Sequence, residues 1–262
     1  MGEKAVLVVS FGTSFEEARI RNIEKIEEKI RENFPEYAFY RAWTSKMIIR
    51  KLAERDDYHV DTVKEAIEKI MSDGITDLII QPTHIINGIE NDAMRLDAHL
   101  LKKYFHSVKV GRPLLTTEED NHAIVKAIAE ELNPLPGRQA LVLMGHGTEH
   151  YANTVYAALD YRFKDEGYEN IFMGTVEGYP SIKQVKKQVK AYSPEEVILA
   201  PFMLVAGDHA KNDMAGDGPD SWLNEFKREG YKVKTVIRGL GEYRSVQNIY
   251  IKHVKDTIDK NI

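Results

Sequence analysis

The sequence predicts an α/β protein of two similar lobes, each with a mainly parallel β-sheet flanked by helices, and a cleft between the lobes. Short apolar, β-branched runs alternate with segments of helical periodicity, which is the pattern of βα units. The same order of strand, glycine-containing turn and helix occurs in both halves of the chain. Prolines and a glycine interrupt both patterns at 133–138. We therefore expect a linker at 133–138 between an N-terminal lobe at 1–132 and a C-terminal lobe at 139–262.

The first half begins with the apolar run 5–10, AVLVVS, which predicts a strand ending at the turn 11–14, FGTS. From 15 to 31, apolar and charged residues alternate at helical spacing, so a helix should follow the turn. The remaining elements predicted for this half are a strand at 37–43, a helix at 61–71 and a strand at 75–81, with Gly74 at the helix C-cap position.

The second half repeats this order, beginning with a predicted strand at 139–144 and a turn at 145–148, GHGT. A helix is expected at about 153–164, and Gly167 should end it. The remaining elements predicted for this half are a strand at 171–176, a helix at 181–190 opened by Pro180, and a strand at 197–202.

Short segments of the two halves match, which indicates an ancient duplication of a βα unit. The turn FGT of 11–13 corresponds to HGT of 146–148. The strand LIIQP of 78–82 corresponds to ILAP of 198–201 at its proline. We therefore expect the two lobes to share one plan of strand, turn and helix.

The composition indicates a globular protein with a sizeable core and limits the classes of partner that it can bind. The 262 residues are 43% hydrophobic and 29% charged, and no apolar run approaches the ~20 residues of a membrane helix. No signal-peptide pattern opens the sequence, so we expect a cytoplasmic protein without a membrane partner. The net charge of -5 argues against a nucleic-acid partner, because such binding depends on a basic surface.

The chain contains no cysteine. This excludes disulfides, thiolate metal sites and cysteine nucleophiles, so a metal site must use imidazole nitrogen and carboxylate oxygen. The sequence also lacks a complete dinucleotide-binding fingerprint, a P-loop and the GxSxG motif of serine hydrolases. Nucleotide-dependent and serine-hydrolase chemistry are therefore not indicated, and no organic cofactor is expected.

Three glycine-containing turns follow predicted strands of the second half and carry His146, Glu177 and His209. Because sheets of this kind bind ligands at the carboxyl ends of their strands, we expect these side chains to meet. A single histidine at a strand end is more often a packing residue, but two at matching positions favour a shared site. Two imidazoles and one carboxylate suit cobalt, nickel, ferrous iron or zinc, with open positions for a substrate.

The first half carries different residues at the matching positions. Phe11 occupies the place of the first histidine, and Thr44 or Ser45 lies near the place of the glutamate. His84 follows another predicted strand, where the second half has Met203, and we expect it in the wall of the pocket rather than on the metal. Only the second lobe therefore carries the complete ligand set.

Five segments of the sequence together carry a resemblance to a known family. They are VVSFGTS at 8–14, QPTHIING at 81–88, MGHGT at 144–148, VEGYP at 176–180 and PFMLVAGDHAKNDM at 201–214. Together they resemble the anaerobic sirohydrochlorin cobaltochelatases of the CbiK type, and the resemblance covers nearly the whole chain. It implies a chelatase-like fold and insertion of Co2+ into sirohydrochlorin on the oxygen-independent route to cobalamin. It also implies that His146, Glu177 and His209 bind the metal and that His146 accepts a proton.

The resemblance implies a tetrapyrrole substrate, sirohydrochlorin or precorrin-2, and Co2+ as the metal substrate, with Fe2+ or Ni2+ as alternatives. The carboxylates of the tetrapyrrole require cations and hydrogen-bond donors, and its ring requires apolar walls. Lys46, Arg50 and Arg95 are further cations near the strand-end motifs, and Ile86 and Leu204 are further apolar residues there. The residues expected to contact the substrate are Ser10, Phe11, Thr13, Ser14, His84, Ile85, Met203 and Lys211.

The residues alone leave three other functions open. The ligand set does not choose among metals, so a ferrochelatase or nickel chelatase acting on a related tetrapyrrole is one alternative. A two-lobed protein that binds a metal or tetrapyrrole without chemistry is the second, and a metallohydrolase that uses a metal-bound water is the third. A homo-oligomer is compatible with the sequence, which does not define an assembly.

Overall fold

The computed structural model describes residues 3–132 and 138–260. By its internal contacts the chain divides into unit 1, Met1–Thr116 with Arg244–Ile262, and unit 2, Thr117–Tyr243. This division differs from the expected lobes at 1–132 and 139–262. The expected linker at 133–138 lies outside the described residues except for its last position.

Unit 1 contains a four-stranded parallel sheet in the order β2-β1-β3-β4. Its strands are β1 Glu3–Ser10, β2 Ala38–Trp43, β3 Ile75–Pro82 and β4 Ser107–Val110. Its helices before residue 117 are α1 Glu16–Ala18, α2 Lys25–Asn33, α3 Lys46–Asp56, α4 Val63–Ser72 and α5 Ile89–Leu101, with a 3-10 turn at Lys102–Tyr104. The strands at 5–10, 37–43 and 75–81 and the helix at 61–71 are thus confirmed to within two residues at each end.

The helix predicted at 15–31 is interrupted by a π-helical segment, Arg19–Glu24, between α1 and α2. Asn22 is buried in this segment, and its side-chain amide donates to the carbonyl oxygen of Ala18 at 2.9 Å. A side-chain bond of this kind competes with the regular helical pattern. The hydrophobic periodicity of the sequence does not register such a local change.

Unit 2 contains a second four-stranded parallel sheet, in the corresponding order β6-β5-β7-β8. Its strands are β5 Gln139–Gly145, β6 Ile171–Thr175, β7 Glu196–Pro201 and β8 Lys232–Thr235. Its helices are α6 Glu118–Leu132, α7 Thr154–Asp165, α8 Ile182–Tyr192 and α9 Trp222–Arg228, with 3-10 turns at Tyr151–Asn153 and Leu240–Glu242 and a π-helical turn at Ala210–Met214. The predicted class of two α/β lobes with parallel sheets is confirmed.

Two helices explain why the units differ from the expected lobes. Helix α6 packs against α7, and Arg162 of α7 forms an ion pair with Glu118 of α6, so α6 belongs to unit 2. The last helix, α10 Arg244–Asp259, packs against β3, β4 and α2 of unit 1. There the buried Tyr250 hydroxyl donates to the carbonyl oxygen of Thr83 at 2.8 Å.

The apolar core of each unit lies between its sheet and its helices. In unit 1, Leu7 and Ile80 of the sheet pack in one cluster with Ile67 and Ile70 of α4. The core cluster of unit 2 joins sheet residues with the helices α8 and α9 in the same way. Such burial of apolar surface is the main favourable contribution to folding. Among the described residues, none of the helices has both the length and the apolarity needed to span a membrane.

Candidate metal centre

The first metal-site turn begins where β5 ends, at Gly145. A side chain at Gly145 would collide with the ring of Tyr156, because an added Cβ would lie 2.7 Å from that ring. Tyr156 is buried beneath the turn, and burial raises the pKa of its hydroxyl to about 12 despite a hydrogen bond with the backbone of Gly147. Residue 145 therefore has no room for a side chain where the strand packs on this ring, and His146 follows directly at the carboxyl edge of the sheet.

Backbone hydrogen bonds join this turn to the turn after β6. The amide of Val176 donates to the carbonyl oxygen of Gly145 at 3.0 Å, and the amide of Glu177 donates to that of His146 at 2.8 Å. The parallel ladder between β5 and β6 therefore continues beyond both strands. It places two predicted ligands, His146 and Glu177, on directly bonded neighbouring segments.

Gly147 is required at this junction for two reasons. Its φ of +85° lies in the left-handed region, which favours glycine. An added Cβ would also lie 2.6 Å from the backbone nitrogen of Gly178, closer than real Cβ atoms approach. The two ligand-bearing turns can therefore pack backbone against backbone only because residue 147 lacks a side chain.

The side chain of Asn153 links the same two turns by hydrogen bonds. Its Oδ1 accepts from the amide of Thr148 at 3.0 Å, and its Nδ2 donates to the carbonyl oxygen of Tyr179 at 2.7 Å. The peptide bond between Tyr179 and Pro180 is cis. Sequence reasoning missed Asn153, because its position just before a predicted helix suggests an ordinary helix cap, whereas its side chain makes no capping bond.

The third predicted ligand, His209, lies beyond β7, at the start of a π-helical turn. The amide of Phe202 donates to the carbonyl oxygen of Met144 at 2.7 Å, so this segment also extends the sheet. His209 then precedes the turn Ala210–Met214, whose first and last residues are fully buried in the core of unit 2. The apolar anchors hold the backbone that carries His209.

The three predicted ligands are brought together in unit 2. His146, Glu177 and His209 each offer one ligand atom, and these atoms lie within 4.8 Å of one another. The imidazole centroids are 4.6 Å apart at an interplanar angle of 88°, and Nδ1 of His146 lies 3.7 Å from a carboxylate oxygen of Glu177. Atoms that each bind one ion at about 2.1 Å lie at most about 4 Å apart, so small side-chain rotations suffice to hold a divalent ion.

The arrangement combines a charge suited to a cation with access from solvent. The side chains of His146, Glu177 and His209 are 46%, 56% and 30% exposed. Two neutral imidazoles and one carboxylate leave positions of the ion open for a further ligand. Such a site can bind an incoming metal ion and release it to another molecule.

The residues expected at the substrate differ in how far their side chains are available. Ser10 is fully buried, and its hydroxyl oxygen accepts from Thr83 at 2.8 Å. Thr13 is also buried, and its hydroxyl oxygen accepts from the amide of Phe15 at 3.3 Å. Phe11 is 42% exposed. Ser14, His84, Ile85 and Met203 are half-buried, and Lys211 is exposed.

The surroundings of His84 in unit 1 disfavour the charged imidazolium form. Burial lowers the pKa of its ring to about 4, and Nε2 lies 3.4 Å from the hydroxyl oxygen of Thr44. Its Nδ1 is buried and has no hydrogen-bond partner among the described residues. His84 is not one of the three clustered ligands.

The further cations suggested by the sequence are engaged locally or lie on helix surfaces. Arg95 donates to the carbonyl oxygen of Gly111 at 3.2 Å, and Arg50 lies 3.8 Å from the carboxylate of Glu54, one helical turn away. Lys46 is exposed at the first position of α3.

Comparisons with known proteins identify the family of this chain. The family model described as cobalt chelatase (CbiK) matches residues 4–259. A sirohydrochlorin cobaltochelatase of Salmonella typhimurium is 36% identical over 257 residues, which cover 98% of this chain and 97% of the relative. The sirohydrochlorin cobaltochelatase CbiKC of Nitratidesulfovibrio vulgaris is 29% identical over 259 residues, covering 97% and 90%.

Similarity of fold extends to more distant proteins. The solved structure of SirB from Bacillus subtilis with Fe3+ aligns with a TM-score of 0.64 at 14% identity, covering 98% of this chain and 96% of SirB. At that identity the match shows a common fold. The family match over nearly the full length is more specific, and its range spans the positions of His146, Glu177 and His209. The chain therefore belongs to the cobalt chelatase (CbiK) family.

Proposed function

We propose that this protein is a sirohydrochlorin cobaltochelatase, which inserts Co2+ into sirohydrochlorin during anaerobic cobalamin synthesis. The observation that carries the proposal is the convergence of His146, Glu177 and His209 at one edge of the unit 2 sheet. Two relatives, 36% and 29% identical over nearly their whole length, carry the name sirohydrochlorin cobaltochelatase. A solvent-accessible N/O site with open positions fits delivery of the ion to a macrocycle.

Insertion exchanges a divalent ion for two pyrrole N–H protons, so the site must hold the ion and also remove protons. Glu177 and His209 hold Co2+ and direct it to the ring. His146 accepts one pyrrole proton, a task suited to an imidazole near neutral pH, and the second proton passes to water. One nitrogen lone pair cannot hold a proton and a metal at once, so His146 binds the ion only before or after the proton transfer.

The tetrapyrrole, sirohydrochlorin or precorrin-2, contacts exposed and half-buried residues of the strand-end motifs. Ser10 and Thr13 are buried and bonded within unit 1, which makes them poor donors to a substrate. Phe11, Ile85 and Met203 offer apolar surface for the ring. The remaining candidates are Ser14 and His84 as polar contacts and Lys211 as a cation for a substrate carboxylate.

The test combines purified protein with metal-free sirohydrochlorin and Co2+ under anaerobic conditions and follows the absorption spectrum of the tetrapyrrole. We expect each protein molecule to convert many molecules of sirohydrochlorin, and we expect the reaction without protein to be much slower. Conversion limited to one equivalent would instead indicate a binding protein. Parallel reactions with Fe2+ and Ni2+ test the other metals, and faster insertion of either would replace cobalt in the proposal.

A further inference from the structure

The two metal-site histidines differ in the group that holds their Nδ1 atoms. Nδ1 of His209 lies 2.6 Å from a carboxylate oxygen of Asp213, whereas Nδ1 of His146 lies 2.8 Å from the carbonyl oxygen of Gly147. An ionised carboxylate and a carbonyl only accept hydrogen bonds, so each Nδ1 carries the hydrogen and each Nε2 keeps its lone pair. Both rings therefore offer Nε2 to an ion, but only His209 has a carboxylate within hydrogen-bond distance of its Nδ1, since the carboxylate of Glu177 lies 3.7 Å from Nδ1 of His146.

The local backbone explains how Asp213 reaches the histidine. The two residues are four positions apart: His209 is the N-cap of the π-helical turn Ala210–Met214, and Asp213 lies within that turn. Turns of this type are rare and occur often at functional sites. Because Ala210 and Met214 are fully buried, the turn is anchored while the carboxylate itself is 46% exposed. The backbone that carries the pair is thus held by the core, while the two side chains remain accessible to solvent.

We propose that Asp213 is a positioning residue that holds His209 with Nε2 toward the incoming Co2+. A carboxylate on the second ring nitrogen fixes the tautomer and ring orientation of a metal-binding histidine and strengthens its lone pair. The inference rests on the proposed function and explains a division of tasks within it. His209 retains the ion, whereas His146, whose Nδ1 is hydrogen-bonded to a carbonyl oxygen, releases it and accepts the pyrrole proton.

The test measures Co2+ binding by the tetrapyrrole-free protein, using titration calorimetry and the visible absorption of bound Co2+. We expect the Kd of Asp213→Asn to rise ~10–100-fold and the Co2+ absorption to change. Asp213→Glu, which keeps the carboxylate, should recover part of the affinity. Asp208→Asn is the matched control: it removes the same charge beside His209, but its carboxylate accepts from the amide of Asn212 at 3.0 Å. Its affinity should stay unchanged.

Wild-type affinity in Asp213→Asn would overturn the inference. An equal loss in Asp208→Asn would also overturn it, because removal of charge alone would then explain the effect. Nitrogen-15 shifts of the histidine rings in the metal-free wild-type protein give a second test that needs no variant. The Nδ1–H tautomer of His209 is expected, and the Nε2–H tautomer would contradict the proposal.

These outcomes separate the inference from the proposed function. A protein that binds Co2+ with the expected dependence on Asp213, yet leaves sirohydrochlorin unchanged, would support this inference and overturn the proposed function. Rapid insertion by wild-type protein combined with full Co2+ affinity in Asp213→Asn would support the proposed function and overturn this inference.

Discussion

The turns after the first two strands of each unit have the same backbone bonds but different side chains. In unit 2, the amides of Val176 and Glu177 donate to successive carbonyl oxygens of the neighbouring turn at 3.0 and 2.8 Å. In unit 1, the amides of Thr44 and Ser45 make the corresponding bonds to Ser10 and Phe11 at 3.0 and 3.2 Å. By this register, Ser45 rather than Thr44 occupies the place of the glutamate. The shared backbone plan therefore permits a metal site but does not create one.

The side chains at these turns decide which unit carries the candidate metal site. In unit 1, Phe11 replaces a histidine, and Ser45 is buried as the N-cap of α3, where its hydroxyl accepts from Ile48 at 3.4 Å. The glycines of both turns have positive φ, +101° at Gly12 and +85° at Gly147. Gly12 packs against the buried ring of Trp43, whereas Gly147 packs against the backbone of the second ligand turn. The junction in unit 1 packs against an aromatic ring, whereas the junction in unit 2 brings the candidate ligands together.

The largest effect is expected on removal of His146, the histidine that distinguishes the turn after β5 of unit 2 from its counterpart in unit 1. We expect His146→Ala to lower the insertion rate ~10²–10⁴-fold, since general-base catalysis contributes about that much. Co2+ affinity should fall less than in His209→Ala. Initial rates of tetrapyrrole conversion and Co2+ titrations measure both effects. His122→Ala, which removes a 61% exposed histidine of the same unit, is the control. Insertion near the wild-type rate in His146→Ala would exclude it as the proton acceptor.

The next effect concerns the backbone contact beside Gly147. Alanine there adds left-handed strain and a collision with Gly178, so we expect a loss of about 2–5 kcal/mol in the free energy of unfolding, together with loss of Co2+ binding. Gly167→Ala is a close match, because its φ is +89° but an added Cβ meets nothing within 4 Å. It should cost about 1–2 kcal/mol and leave Co2+ binding intact. Equal losses in the two variants, measured by urea unfolding, would refute the role of the contact.

A smaller effect is expected at Asn153, which joins the two ligand turns through its side chain. Asn153→Ala should lower the unfolding free energy by about 1–2 kcal/mol for the two lost hydrogen bonds. The insertion rate should fall at least ~10-fold, because the ligands lose their mutual alignment. Asn224→Ala is the control, since that half-buried side chain also donates to two carbonyl oxygens, those of Asp217 and Gly218, which lie outside the two turns that Asn153 joins. Unchanged rates in Asn153→Ala would show that the backbone bonds alone align the site.

The sequence predicted best those parts of the fold that are encoded locally. The inner strands β1, β3, β5 and β7 are apolar over most of their length because helices cover both faces of a parallel sheet, and all four were predicted. The edge strands β4 and β8 have only four residues each, SVKV and KVKT, and their lysines interrupt the apolar run that would predict a strand. The return of α10 to unit 1 depends on tertiary packing that no local pattern records.

The candidate site was predictable to a similar extent. The glycine-containing turns after strands pointed to His146, Glu177 and His209, because each motif is contiguous in the sequence. The roles of Asn153 and Asp213 depend on bonds to other segments or on the type of helical turn. Periodicity and turn composition do not carry that information. Burial of Ser10 and Thr13 was likewise invisible, since a hydroxyl at a strand end can face either solvent or the core.

The smallest effect concerns His84, whose place in unit 2 is taken by Met203. Burial lowers the pKa of His84 to about 4, below the ordinary 6.5. Between pH 6.5 and 4 the unfolded chain therefore binds a proton that the folded protein excludes, so this histidine makes the fold less stable as the pH falls. His84→Met should remove that dependence. We expect the wild-type protein to lose about 1–2 kcal/mol more than the variant between pH 6.5 and 5, measured by urea unfolding. His59→Met changes a 76% exposed histidine of the same unit and should retain the wild-type dependence on pH. Identical pH profiles for all three proteins would mean that His84 is protonated in the folded state as readily as in the unfolded chain.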